Sequence, residues 1–280
     1  MLPLCRRYGI PLAFTNHTRY DLYSDEYAGF VPQALRYEFI SRRLGDFANA
    51  CDLVIAPAPS IAVWLEEFCG YTDATVIPNG IEVDRFSAPL APVSREELGL
   101  GADDVVFCYA GRLGPEKNTV WLAEEFAHAH AACPRAKLLV IGGGPSREDA
   151  EDALRRRGVS DAAVFLGMQP YDRLPDLESA ADVFVTGSVS EVHPLVVLEA
   201  MAAGLPVVAV HSPGITETVT DGVSGLLADR VEPGALASRM ERLTCEEGLR
   251  SRLSIGASKA ALAYSLERTA DVVLEHFERL

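Results

Sequence analysis

Residues 190–209 read Ser-Glu-Val-His-Pro-Leu-Val-Val-Leu-Glu-Ala-Met-Ala-Ala-Gly-Leu-Pro-Val-Val-Ala, a helix and a strand with a sharp stop between them. The apolar run from Leu195 predicts a buried helix with Pro194 at its first position, where the absent proline N–H would have been an orphan donor. Gly204 offers the positive φ that ends a helix, and residues 207–210 follow at once as a strand. Glu191 then falls in the loop at the carboxyl edge of a sheet, while Glu199 lies further along the helix. Open α/β sheets place ligands at that edge. The free N–H groups and dipole of a helix start make it a seat for an anion.

The same rhythm extends outward. Apolar runs at 10–15, 53–56, 75–77, 105–110, 137–141, 163–166, 183–186, 207–210 and 226–227 read as strands. Helix-length segments separate them, at 35–50, 60–68 (capped by Ser60), 121–132, 148–158, 173–180 and 195–203. Three more helices are expected at 234–245, 247–262 and 266–279. Strands separated by helices imply βαβ crossovers and parallel sheets covered on both faces. Residues 87–255 make a complete doubly wound domain. Residues 1–86 supply too few strands for one, so the first domain is expected to be incomplete, either abbreviated or short of an upstream stretch of roughly a hundred residues. The helices of 256–280 are expected to pack back on it.

Of the 280 residues 49% are hydrophobic and 23% charged, which allows sizeable cores and rules out disorder as the main reading. Lys and Arg number 25 against 40 Asp and Glu, a net charge of −15 with no basic stripe, so nucleic acid is not an expected partner. The cysteines Cys5, Cys51, Cys69, Cys108, Cys133 and Cys245 form no C-x-x-C pair, so neither a zinc site nor a disulfide framework is expected. No apolar stretch reaches the ~18–20 residues of a bilayer span. Arg6 and Arg7 follow the first apolar residues, the wrong order for a secretory signal, so the expected location is cytoplasmic, with peripheral membrane contact left open.

The segment Tyr109-Ala-Gly-Arg-Leu-Gly-Pro-Glu-Lys-Asn follows the first strand of the second domain. Gly111 lets backbone approach a ligand closely, and Arg112 and Lys117 project from the same loop. A planar fork and a point charge together suit a diphosphate. No Asp-x-Asp pair stands near a strand end, so arginine, lysine and helix N–H groups are expected to carry the charge without a metal or cofactor. Gly142–Gly144 reads as a strand-to-helix turn rather than a phosphate cradle.

Val76-Ile-Pro-Asn-Gly-Ile-Glu-Val-Asp-Arg-Phe, the Gly111-Arg112…Glu116-Lys117 loop and the helix with paired glutamates occur here in order. In this the chain resembles family 4 glycosyltransferases, retaining enzymes of the GT-B fold that use sugar nucleotides. The resemblance implies an α/β, GT-B-like chain of two Rossmann-like doubly wound domains, the first lacking its N-terminal strand and glycine-rich loop. It implies that Arg112 and Lys117 hold the donor diphosphate in the cleft between domains. Glu191 would contact the donor sugar and Glu199 the ribose hydroxyls. Thr15-Asn-His-Thr resembles the family's strand-end histidine motif, so His17 would reach the donor sugar from the first domain. Gly167-Met168 resembles the segment whose backbone reads the nucleotide base. His193-Pro194 stands where many relatives have an aromatic-glycine pair, which leaves the N–H groups of Leu195 and Val196 to serve the phosphate or sugar.

The expected activity is transfer of a sugar from a UDP- or GDP-type donor to an acceptor hydroxyl with retention, onto a membrane lipid or another glycoconjugate. Two other readings stand beside it: a sugar-nucleotide epimerase on the same scaffold, and a non-catalytic sugar-nucleotide-binding fragment. Tyr20, Tyr23 and Tyr27 follow His17 and are candidates to line an acceptor cleft.

Overall fold

The computed structural model describes residues 2–280, with the side chains of Leu2, Tyr23, Glu26 and Tyr27 outside that description. The chain forms two compact units, one of residues up to Gly80 together with Leu266–Leu280, the other Ile81–Ser265.

The first unit runs α1 (Leu2–Tyr8), β1 (Ala13–Thr15), α2 (Tyr20–Tyr27), α3 (Gln33–Ala48), β2 (Leu53–Ala56), α4 (Pro59–Cys69) and β3 (Thr75–Val76). Its three strands are parallel in the order β1-β2-β3, with Ala13 opposite Leu53 and Ile55 opposite Thr75. β2 is the central strand and is buried throughout, which explains its unbroken Leu-Val-Ile-Ala run. Leu53 and Ile55 pack with Ile77, and Val272 and Val273 of the C-terminal helix cover them. Pro59 takes the first position of α4 and Ala58 its cap, so Ser60, expected as the cap, lies inside the helix.

The second unit continues with α5 (Val83–Ser87), β4 (Val105–Ala110), α6 (Thr119–Ala132), β5 (Ala136–Ile141), α7 (Arg147–Arg156), β6 (Ala163–Gly167) and α8 (Leu174–Glu178). Then come β7 (Val183–Val185), α9 (Leu195–Ala202), β8 (Val207–Val210), α10 (Pro213–Thr216), β9 (Gly225–Ala228), α11 (Ala235–Cys245) and α12 (Glu247–Ala261). The remaining helix, α13 (Leu266–Phe277), is the one that belongs to the first unit. Six parallel strands lie in the order β6-β5-β4-β7-β8-β9. The order reverses on either side of β4, so a topological switch point lies between β4 and β7, where the carboxyl ends open a crevice.

Alternation along β4 builds two cores. Val105, Phe107 and Tyr109 face α6, α7 and α11, while Val106, Cys108 and Ala110 face α5, α8, α9 and α12. The unit borders differ from the expected 86/87 and 255/256. Phe86, 1% exposed, packs with Leu198, Met201 and Ile215, and Ala257 and Ala261 of α12 join the same core. Hydrophobic burial therefore draws 81–86 and 256–265 into the second unit, and α13 alone returns to the first. Among the described residues no helix is long and apolar enough to cross a membrane.

Candidate active site

Three strand ends of the second sheet meet at one cavity of about 580 Å³. Ala110, Gly111 and Arg112 follow β4, Ile141 to Gly144 follow β5, and Met168 to Tyr171 follow β6. Leu174 of α8 and Val196 of α9 close it. The loops are knit by backbone bonds: Gly111 N–H donates to Ile141 O at 2.9 Å, Gly142 N–H to Gly167 O at 2.9 Å and Leu113 N–H to Gly143 O at 3.0 Å. Such close approach decides the residue at 142, where φ is +143° and a Cβ would collide with Gly111 O. The glycine run is therefore a turn, as expected, and also part of the cavity wall, which was not. Tyr109 fixes the next loop, its hydroxyl donating to Arg112 O at 2.7 Å from a site whose burial pushes the phenol pKa up.

Arg112 reaches this rim with its side chain half exposed and Nη1 3.9 Å from Glu116 Oε1. Lys117, in the single turn before α6, donates from Nζ to Glu191 Oε1 at 2.7 Å across 74 positions of sequence. The two residues come together because β4 and β7 are neighbours and the loop of each leaves the same edge. Ser190 Oγ adds a bond to Glu116 O at 3.3 Å.

The tip of α9 differs in one detail from the sequence reading. Pro194 is the cap rather than the first helical residue, with ψ of 105°, and its carbonyl accepts from Val197 and Leu198 N–H at 3.1 and 3.3 Å. The N–H groups of Leu195 and Val196 are the donors left over by that geometry. Val196 borders the cavity, and Leu195 is exposed. Gly204 ends the helix with φ of +82°, as expected.

Glu199 is 3% exposed, in the second turn of a mostly buried helix. Burial raises its carboxyl pKa, and a 2.7 Å bond from the Tyr171 hydroxyl together with the charge of Arg85 draws it back. Nothing in the local sequence pointed to Tyr171, 28 positions away; only the pairing of β6 with β5 and the turn after it bring the phenol there. Met168 lies in the cavity wall with its side chain exposed, and Gly167 supports the wall through its carbonyl. His17 stands exposed just past β1, in the first unit. Tyr20 is exposed on α2, and the side chains of Tyr23 and Tyr27 lie outside the described residues.

Charge of both signs at a switch point, beside leftover N–H donors and an apolar slot, suits an anionic ligand with a flat apolar end. Residues 92–260 match the family described as Glycosyl transferases group 1, and residues 1–85 the one described as Glycosyltransferase Family 4. A D-inositol 3-phosphate glycosyltransferase of Acidothermus cellulolyticus is 35% identical over 96% of this chain and 62% of its own length. One from Frankia alni is 32% identical over 99% of this chain and 70% of its own. The chain thus spans about 62% of the first of these relatives. Anabaena HepE, solved in complex with UDP, matches 100% of this chain and 75% of its own with a TM-score of 0.82 at 22% identity, a likeness of fold. With both family matches in chain order and the GT-B fold of its structural neighbours, this chain belongs to the group 1 glycosyl transferases.

Proposed function

We propose that the cavity of the second unit seats the nucleoside diphosphate of a sugar-nucleotide donor, and that the chain transfers the sugar to an acceptor hydroxyl with retained anomeric configuration. The observation that carries this reading is the convergence of Arg112, the Lys117–Glu191 pair and the α9 tip at one switch point. In the transition state negative charge grows on the departing diphosphate. Arg112, Lys117 and the N–H groups of Leu195 and Val196 stand ready to stabilise it without reorganisation. Glu191, held by Lys117, is assigned to the donor sugar, and Glu199 to the ribose hydroxyls. Met168 and the glycine wall face the base, with its edge read by backbone groups near Gly167.

The charge is assigned to side chains and N–H groups rather than to a metal, on the ground that no Asp-x-Asp pair accompanies the strand ends. His17 keeps the role that the resemblance implies, contact with the donor sugar. The acceptor class follows from the relatives, whose names specify D-inositol 3-phosphate, so a polyol phosphate is tested beside a membrane lipid and a glycan.

The chain is incubated with UDP-, GDP- and ADP-hexoses, with and without each acceptor, and products are followed by NMR of the anomeric proton. The reading predicts acceptor-dependent transfer with the donor's own configuration. His17→Ala and Glu191→Ala in the same assay are expected to slow it tenfold or more. Inverted product, or a sugar nucleotide epimerised with no acceptor present, contradicts it.

A further inference from the structure

The proposed roles leave Tyr171, a wall residue of the cavity, unused. A carboxylate as deeply buried as Glu199 needs a fixed donor to keep its charge and its direction. Tyr171 supplies that donor, and it is itself fixed. Arg85 of α5 lies over its ring with the guanidinium carbon 4.7 Å from the centroid, and Phe86 stands 6.4 Å from it. Glu82 Oε2 at 3.0 Å and Asp172 Oδ1 at 2.6 Å anchor the guanidinium in turn. The groups around Glu199 are thus Tyr171 and Arg85, with Glu82 reached through Arg85, and Glu178 of α8.

We propose that Tyr171 is a positioning residue for the nucleotide, its hydroxyl fixing the Glu199 carboxyl in the direction that accepts the two vicinal hydroxyls of a ribose. This rests on the assignment of Glu199 to the ribose. A carboxylate has about four lone-pair sites, so the phenol leaves enough of them for a diol. Glu178 is fully enclosed, and burial, followed by the charge of Glu199, raises its pKa well above the ordinary value. Without the phenol hydroxyl one of the two influences that hold the Glu199 carboxyl down is lost. Its pKa then moves further up, and the effect on a ligand that needs the carboxylate grows as pH falls.

Tyr171→Phe keeps the ring under Arg85 and removes only the hydroxyl. Titration calorimetry with UDP, GDP and ADP, each beside its 2′,3′-dideoxy form, at pH 6 and pH 8 reads the effect. The intact chain is expected to prefer the ribose form of the nucleotide it binds. Tyr171→Phe reduces that preference about tenfold at pH 6, the range for a hydrogen bond to a charged group, and less at pH 8. On a Glu199→Ala background it has no further effect. A variant that keeps the full preference at both pH values, or weakens both ligand forms equally, overturns the role of Tyr171. An intact chain with no preference for any ribose form overturns the assignment of Glu199 and this proposal with it.

Discussion

Replacing Glu178 by Gln makes the stability of this chain less sensitive to pH. Both Glu178 carboxyl oxygens are buried without a hydrogen-bond partner, on a helix whose Leu174, Pro175 and Leu177 are also buried. Desolvation, and next the charge of Glu199, raise its pKa well above the ordinary 4.5. The folded chain therefore holds this proton to a higher pH than the unfolded chain does. An acid raised in the folded state contributes stability fully below the unfolded value and loses it as pH climbs toward the folded one. The slope is at most about 1.4 kcal/mol per pH unit, and it falls between the unfolded and the folded value.

Glutamine fills the same volume and cannot ionise. Its own unpartnered amide costs the same at both pH values, so only the slopes are compared. Urea melts of both proteins at pH 5, 6 and 7 should show Glu178→Gln gaining on the parent as pH rises, by at most about 1.4 kcal/mol per pH unit. Parallel pH profiles would refute the claim that burial raises the pKa of this carboxyl.

Gly214 packs beneath the Glu191 loop, and a Cβ there would sit 2.7 Å from Val192 O and closer still to Glu191 O. Gly214→Ala must shift that backbone and the carboxylate that Lys117 holds, so transfer should fall about a hundredfold for roughly 1 Å of misplacement; unchanged kinetics would contradict the geometry. Glu125 accepts from the N–H groups of Gly234, Leu236 and Ala237 at 2.7, 2.9 and 3.0 Å, closing the start of α11 from 109–112 positions away. Glu125→Ala should cost about 3 kcal/mol or more in urea denaturation, since several charge-assisted bonds are lost at once; a loss under 1 kcal/mol would argue against the cap. Cys133 Sγ and Cys245 Sγ lie 2.9 Å apart. Oxidised glutathione, itself reduced to two thiols, should therefore link them with a loss of two hydrogens by mass, whereas separate glutathione adducts on both would contradict that closeness.

Where local pattern governs, the sequence was legible. The apolar run at 105–110 is the strand Val105–Ala110 to the residue, because a strand buried on both faces must be apolar throughout. The alternation of strands and helices sufficed for parallel sheets, while the switch point came only with the strand order. It misplaced what depends on distant partners. The strand expected from residue 10 begins at Ala13, since Pro11 has no N–H to give and Leu12 N–H donates to Asp52 Oδ2 at 2.8 Å. The border near 86 moved because Phe86 is claimed by a core whose members run on as far as Ala261.

The candidate site divides in the same way. Arg112, Lys117, Glu191 and Glu199 were legible from loop position and spacing. Tyr171, the glycine wall and the burial of Glu178 were not, because each is created by a neighbour across the sheet rather than by its own segment.

The account turns on a diphosphate held by Arg112, Lys117 and the α9 tip. Calorimetric affinities for UDP against UMP, in the parent chain and in Arg112→Ala and Lys117→Ala, test it most directly. The account predicts that the parent prefers the diphosphate at least tenfold and that each substitution removes most of that preference, at about 1.5–3 kcal/mol per charge-assisted bond. Equal affinity for UDP and UMP in the parent, or a preference that survives in both variants, would contradict it.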